Sequence, residues 1–253
     1  MRKNEQKTVS FSTVEARNGI FSARKTVEHL SSPKVVYSDE KNSLKVLVRN
    51  KHLGQSHRDI LDVLWALKVE WGDKYIVKFH ESTILSALGI AKAGRNISFL
   101  RQKLLNIKDA SIHVQNAKKE YVFDFLEYYE KQSDGTYIVI FDEKYIEFLR
   151  GTPSYFLQKD VLKKILNEKS AVVRATLRLT LSHRIFANID LDDILLLFFP
   201  RKGEERARRR AKNELLAFCE NDNFAGLKMS KNGYLQISKK ETKNGQKYHR
   251  GKK

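Results

Sequence analysis

An α+β fold of two tandem winged helix-turn-helix domains, followed by a disordered basic tail, is predicted by three observations. Helical segments and strand pairs recur in one order in both halves of the chain. Gly151 and Pro153 interrupt the periodicity between the halves. Ahead of the last strand pair, residues 204–222 read as a helix with sorted faces. Ala207, Ala211, Leu215 and Phe218 form its apolar stripe, while Arg206, Arg209, Arg210 and Asn213 line the opposite side.

Residues 1–51 read as an arm with short strands at 34–37 and 44–48 around the turn-prone 38–42. Helical periodicity begins at His57, places Ile60, Leu61, Leu64 and Leu67 on one face, and stops at Gly72. An alternating strand at 75–79 leads into a short helix over 81–88 and a turn over 89–94. The helix expected over 95–106 puts Ile97, Leu100 and Leu104 on one side and Arg95, Ser98, Gln102 and Asn106 on the other. Strands at 110–115 and 121–129 around the polar turn 116–120 make a hairpin, read as the wing, and a strand at 136–141 follows Ser133-Asp134-Gly135. The first domain thus covers 52–152. The second, 153–238, has helices at 160–167, 171–184, 191–198 and 204–222, then strands at 227–230 and 234–238 around Lys231-Asn232-Gly233. Residues 239–253 hold Gly, Asn and Lys with almost no apolar content, the composition of a disordered basic tail.

The net charge of +18 on 253 residues concentrates nucleic acid or an anionic membrane around a protein. The single cysteine, Cys219, excludes an internal disulfide framework and a Cys-rich zinc site, and the expected compartment is the reducing cytosol, with Cys219 a packing residue. Residues 1–11 lack the apolar stretch of a signal peptide, and no run approaches the roughly 18 residues of a membrane span. The expectation is a cytoplasmic protein without a membrane partner.

In each half the helix before the wing is the one that fits a major groove. In the first, Arg95 and Gln102 are the expected base readers, with Ser98 and Asn106 as adjacent contacts. Phe99 among them either meets a thymine methyl or packs against the wing. Lys103, with Lys92 and Arg101, flanks the face as a phosphate contact. Lys118 and Lys119 at the hairpin tip would reach a minor groove or the backbone, unless they serve solubility alone. In the second half Arg206, Arg209, Arg210 and Asn213 offer donors matched to guanine and adenine, and the arginines repel one another unless phosphate or base edges neutralise them.

Asp190, Asp192 and Asp193 are expected to cap a helix, so neither metal nor cofactor is anticipated. Residues 89–96 have the outline of a phosphate loop, but Arg95-Asn96 stands where Lys followed by Ser or Thr is required. A nickase needs paired metal-binding histidines beside its tyrosine; Tyr128 and Tyr129 adjoin, yet every histidine is isolated. A nonenzymatic DNA-binding protein is the expectation, with a transcriptional regulator of the same fold as the alternative and a nickase behind both.

The paired element order, the segment Gly19-Ile20-Phe21-Ser22-Ala23-Arg24-Lys25 and the junction Phe141-Asp142-Glu143 resemble theta-type plasmid replication initiators, in particular the TrfA-like proteins. The resemblance implies binding to directly repeated origin sites (iterons) in double-stranded DNA, melting of adjacent AT-rich DNA, and recruitment of a host helicase or initiator. It also implies monomers active in initiation and a homodimer as the repressing form. By position it carries base reading onto Arg206, Arg209, Arg210 and Asn213. Gln6-Lys7-Thr8-Val9-Ser10-Phe11 has the spacing of peptides that dock into a sliding clamp, with a disordered or strand-forming arm as the other reading.

Overall fold

Alternating burial along strands such as Lys74–His80 and Thr136–Phe141, and apolar faces on most of the helices, sort the chain into an α+β arrangement of two units, Asn18–Thr152 and Met1–Arg17 with Pro153–Lys253. The computed structural model describes residues 8–17, 19–24, 27–39, 44–72, 74–117, 119–182, 189–199, 203–221 and 224–237. The tail expected over 239–253, Lys118, Gln6, Lys7 and most of the turn at 38–42 lie outside the described residues.

The chain opens with β1 (Thr8–Ser12) and α1 (Thr13–Arg17). These first residues of the expected arm join the second unit, because β1 pairs antiparallel with a strand at Ser154–Gln158, Phe11 facing Tyr155. Val9 and Phe11 are buried there. The geometry corrects the sliding-clamp reading: a Phe11 side chain held in a core is not offered to a partner's groove.

In the unit Asn18–Thr152, β2 (Glu28–His29), β3 (Lys34–Asp39), β4 (Leu44–Arg49) and β5 (Lys51–His52) precede α2 (Gln55–Leu67). Next come β6 (Val69–Trp71), β7 (Lys74–His80), α3 (Glu81–Ala87) and α4 (Gly94–Lys108). The unit closes with β8 (Ser111–Gln115), β9 (Glu120–Asp124), β10 (Leu126–Lys131), β11 (Thr136–Phe141) and α5 (Glu143–Gly151). Two four-stranded antiparallel sheets form, in the orders β3-β4-β8-β9 and β10-β11-β7-β6. The single strand expected over 121–129 breaks at Phe125, whose buried ring lies 5.4 Å from that of Phe21 and 5.2 Å from that of Tyr145. Its halves enter different sheets. Among the described residues that carry the family resemblance, Ile20, Phe21, Ala23 and Phe141 are buried, and the Asp142 carboxylate caps α5 by accepting from the Tyr145 N–H at 3.1 Å.

The other unit continues from α1 with β12 (Ser154–Gln158), α6 (Lys159–Asn167), α7 (Ala171–Leu181), β13 (Ile189–Asp190) and α8 (Leu191–Phe198). It ends with α9 (Glu205–Glu220), β14 (Leu227–Met229) and β15 (Tyr234–Ile237). The Thr13 N–H and hydroxyl both donate to the Pro153 carbonyl at 2.8 Å, and the Arg17 guanidinium donates to the Ser182 carbonyl and hydroxyl, so α1 is fastened at both ends.

The halves repeat a pairing pattern as well as an order. The series α2, β7, α3, α4, β10, β11 corresponds to α7, β13, α8, α9, β14, β15, and in each the last strand lies between the other two, as β10-β11-β7 and β13-β15-β14. The hairpin tips match. Gly135 and Gly233, at φ +83° and +82°, donate to the Gln132 and Ser230 carbonyls at 3.1 Å, and the Gln132 and Ser230 N–H groups donate to the Thr136 and Tyr234 carbonyls at 2.8 Å. Glycine takes that left-handed conformation without steric cost.

Two buried histidines in the first unit set an acid limit to its stability. The neutral His52 ring donates from Nε2 to the Gly19 carbonyl at 2.7 Å and accepts from the Lys34 ammonium at Nδ1, 3.0 Å away. His57 Nδ1 accepts from the Gly54 N–H at 3.2 Å. Burial, and then the charges of Lys34 and Lys103 respectively, lower them from 6.5 to about 4 for His52 and about 3 for His57. The unfolded chain binds protons that these folded sites refuse, so their contribution is intact above pH 6.5 and is lost as pH falls from there towards 4. Each tenfold difference in proton affinity between the folded and unfolded chain is worth about 1.4 kcal/mol, and the loss should reach a few kcal/mol. Urea unfolding at pH 7 and pH 4.5 checks this, and a His52→Gln/His57→Gln protein should show a shallower decline; equal declines would refute it.

Candidate nucleic-acid interface

Helix α9 keeps one face for its own unit: Ala211 and Leu215 are buried, and Ala207 and Phe218 are half-buried. The opposite face is open. Arg206, Arg209, Arg210 and Asn213 are exposed together and, with Glu214 and Ala217, line a shallow depression of about 450 Å³. The Arg210 side chain is 84% exposed, and its Nε donates to Glu214 Oε1 at 3.1 Å. Neighbouring cations serve the fold instead. Arg208 Nη1 donates to the Phe199 carbonyl at 2.6 Å, and the Lys212 ammonium lies 3.3 Å from the Asp192 carboxylate. Three guanidiniums on little more than one helical turn form a strong anion-attracting face.

Among the acidic residues, Asp190 caps α8 by accepting from the Asp192 N–H at 2.7 Å. Burial, with Glu220 beside it, pushes the Cys219 thiol up to about 11, so it stays protonated at neutral pH. Among the described residues no group of three His, Cys, Asp or Glu side chains could hold a metal ion, and no helix is long and apolar enough to cross a membrane.

Helix α4 presents a different surface. Arg95, Ser98 and Gln102 are exposed together with Phe99, at 43% exposure. Lys103 and Asn106, expected on this face, are buried, at 7% and 4%. Both positions turn toward the unit's interior, where the Asn106 Oδ1 accepts from the Lys51 ammonium at 3.1 Å and its Nδ2 lies 3.3 Å from His57 Nε2. Lys103 holds its ammonium 5.0 Å from the centre of the Phe99 ring, and burial lowers its pKa. Arg101, expected to contact phosphate, pairs with Glu81 at 2.7 Å. Against the cost of burial, the Tyr137 hydroxyl and that guanidinium hold the Glu81 carboxyl below its usual range. Burial and then the bond to Glu81 push the Tyr137 phenol up to about 12.

Lys119 is exposed at the β8–β9 turn, where its N–H donates to the Asn116 side chain at 2.8 Å. That hairpin belongs to the sheet β3-β4-β8-β9, so it is not the hairpin of the sheet that carries β7 and β11. The latter is β10–β11, with Lys131 exposed, and its counterpart β14–β15 exposes Lys228 and Lys231. Local sequence pattern does not single out these three lysines. The signal that finds them is strand pairing, since in each half the hairpin joined to the strand before the second helix is the one that follows the third.

No family model and no curated protein matches the sequence. Solved structures do. A crystal structure of selenomethionine derivatives of domains 2 and 3 of RctB has a TM-score of 0.55 and 18% identity, covering 85% of this chain and 91% of that one. A second, of RctB domains 2-3, also has a TM-score of 0.55, with 15% identity over 85% of this chain and 86% of that one. At such identities the likeness is one of fold.

Proposed function

We propose that the chain is a nonenzymatic replication initiator that binds repeated sites in duplex DNA through α9 and α4. The observation that carries this reading is the exposed quartet Arg206, Arg209, Arg210 and Asn213, set opposite a buried stripe on one helix. Arginine and asparagine match the acceptors of guanine and adenine in a major groove, and nothing in the fold consumes the charge of Arg206 and Arg209 among the described residues. Each unit is read as a winged helix, with α4 and α9 in the groove-entering position and β10–β11 and β14–β15 as wings. Lys131, Lys228 and Lys231 would meet the backbone beside the groove. The step from DNA binding to initiation rests on the sequence resemblance to theta-type initiators, which supplies melting of AT-rich DNA, host helicase recruitment and a repressing homodimer.

An initiator must deform its site, at a cost of a few kcal/mol that many phosphate contacts offset. The test is permanganate reactivity of thymines in AT-rich DNA next to the bound repeats on a supercoiled plasmid. Reactive thymines without a covalent protein–DNA adduct are expected. Tight repeat binding with unreactive thymines would point to a transcriptional regulator, and a tyrosine adduct to a nickase.

A further inference from the structure

Helices α4 and α9 hold corresponding places, and their burial sets them in register. Leu104 and Leu215 are both fully buried, as are Leu100 and Ala211 to within 2%. Counted from these, Arg95 corresponds to Arg206, Ser98 to Arg209, Phe99 to Arg210 and Gln102 to Asn213, and all eight are exposed. The two faces agree at their ends and differ at the centre, where an aromatic ring stands in one and a guanidinium in the other.

Each central side chain is braced by the residue four positions on, the spacing that stacks side chains on a helix. The Lys103 ammonium sits 5.0 Å from the Phe99 ring centre. Glu214 Oε1 accepts from Arg210 Nε at 3.1 Å, and Glu214 Oε2 accepts from the Ser170 hydroxyl at 2.5 Å. Ser170 is itself fixed as the N-cap of α7, accepting from the Val173 N–H at 3.2 Å. The chain Ser170–Glu214–Arg210 therefore runs from the half-buried start of α7 to the open face of α9.

We infer that the two helices read different base pairs: Arg210, positioned by Ser170 and Glu214, takes a guanine, and Phe99, positioned by Lys103, takes a thymine methyl. This rests on the reading of α4 and α9 as duplex-binding helices. With Nε committed to the carboxylate, the two terminal amino groups of Arg210 remain as a parallel pair, the geometry that meets guanine O6 and N7 together. Holding the guanidinium in advance removes rotamer freedom that binding would otherwise have to freeze. A carboxylate on the same face repels phosphate and so turns the arginine toward bases. A half-exposed phenyl ring offers no hydrogen bond, and the base-edge group it suits is the one apolar group in the major groove.

The experiment selects a tight-binding duplex from a random library, then replaces each guanine by 7-deazaguanine and each thymine by deoxyuridine, one position at a time. For the wild-type protein one guanine should lose about tenfold on removal of N7, and one thymine about fourfold on removal of its methyl. Arg210→Ala should abolish the guanine penalty and keep the thymine penalty, and Phe99→Ala should do the reverse. Glu214→Gln and Ser170→Ala should shrink the guanine penalty while affinity for random duplex holds or rises. A guanine penalty untouched by Arg210→Ala, or a thymine penalty untouched by Phe99→Ala, overturns the assignment. Equal losses on selected and random duplex in Glu214→Gln overturn the positioning role. Failure of the wild-type protein to bind any duplex defeats the underlying reading of the two helices instead.

Discussion

Replacing Arg209 and Arg210 together by alanine is expected to weaken binding to the selected repeat by about 2 to 6 kcal/mol, since a good base contact is worth about 1 to 3 kcal/mol. The fold should survive. Both side chains are exposed, and the bond of Arg210 to Glu214 lies at the surface, where such pairs contribute about 0 to 1 kcal/mol. Titration of a labelled duplex measures the first effect and thermal melting the second. Affinity within twofold of wild type would remove α9 from the interface, whereas a large fall in melting temperature would show that the arginines serve stability. The salt dependence separates the roles within the face: a residue that reads a base changes discrimination, and one that neutralises phosphate lowers the slope of log affinity against log salt by about 0.9 per contact.

Asp62→Ala should strongly destabilise the first unit. Arg58 and Asp62 lie four residues apart on α2, with Arg58 Nε 2.7 Å from Asp62 Oδ1 and both side chains only 3% exposed. The guanidinium also lies 5.1 Å from the centre of the Phe21 ring. Removing one member of a buried pair leaves a charge where water cannot replace the lost partner, at a cost of about 3 to 5 kcal/mol. Replacing both, as in Arg58→Met with Asp62→Leu, should recover most of that stability because neither charge then needs solvation. Urea unfolding of the single and double variants gives the comparison, and a loss below about 1 kcal/mol for Asp62→Ala would contradict it. The segment around Phe21 would be disturbed too, which ties this pair to residues that carry the family resemblance.

Local pattern is enough for the longer helices, though not for α1 (Thr13–Arg17) or for the extent of α5 (Glu143–Gly151). The apolar spacing of Ile60, Leu61 and Leu64 and the opposed faces of α9 follow from a 3.6-residue period; Glu205–Glu220 lies within two residues of the expected bounds, whereas α2 ends at Leu67, short of the expected stop at Gly72, because Val69–Trp71 leaves the helix to pair with β7 as β6. Strand partners are not legible in the same way, because pairing joins segments far apart in sequence. Nearness to α4 gives the hairpin at Lys119 the look of a wing, while β4, more than sixty residues earlier, claims β8 with Val46 opposite Val114. The side chains at the margin of a face are equally hard to place from sequence. Lys103 and Asn106 fall on the border of the polar arc of α4, and whether they meet solvent depends on Lys51 and His57, which only tertiary packing brings there. The centre of each face, Ser98 and Gln102 on α4 or Arg209 and Arg210 on α9, lies far enough from the stripe for periodicity alone to place it outward.

The pairing of β1 with β12 has a consequence for biosynthesis. Once Thr152 has left the ribosome, every described strand and helix of the first unit has emerged, and the unit can collapse because its described sheets draw only on Glu28–Phe141. The strand Thr8–Ser12, made before any of these, must wait for Ser154–Gln158 to emerge. Until then the strand that covers Val9 and Phe11 in the folded unit is still to come, and the edge of Thr8–Ser12 is open to pairing with other chains. Cutting the chain at the boundary should yield a self-sufficient fragment from the middle, whereas a fragment starting at Pro153 would need the first seventeen residues supplied as a separate peptide.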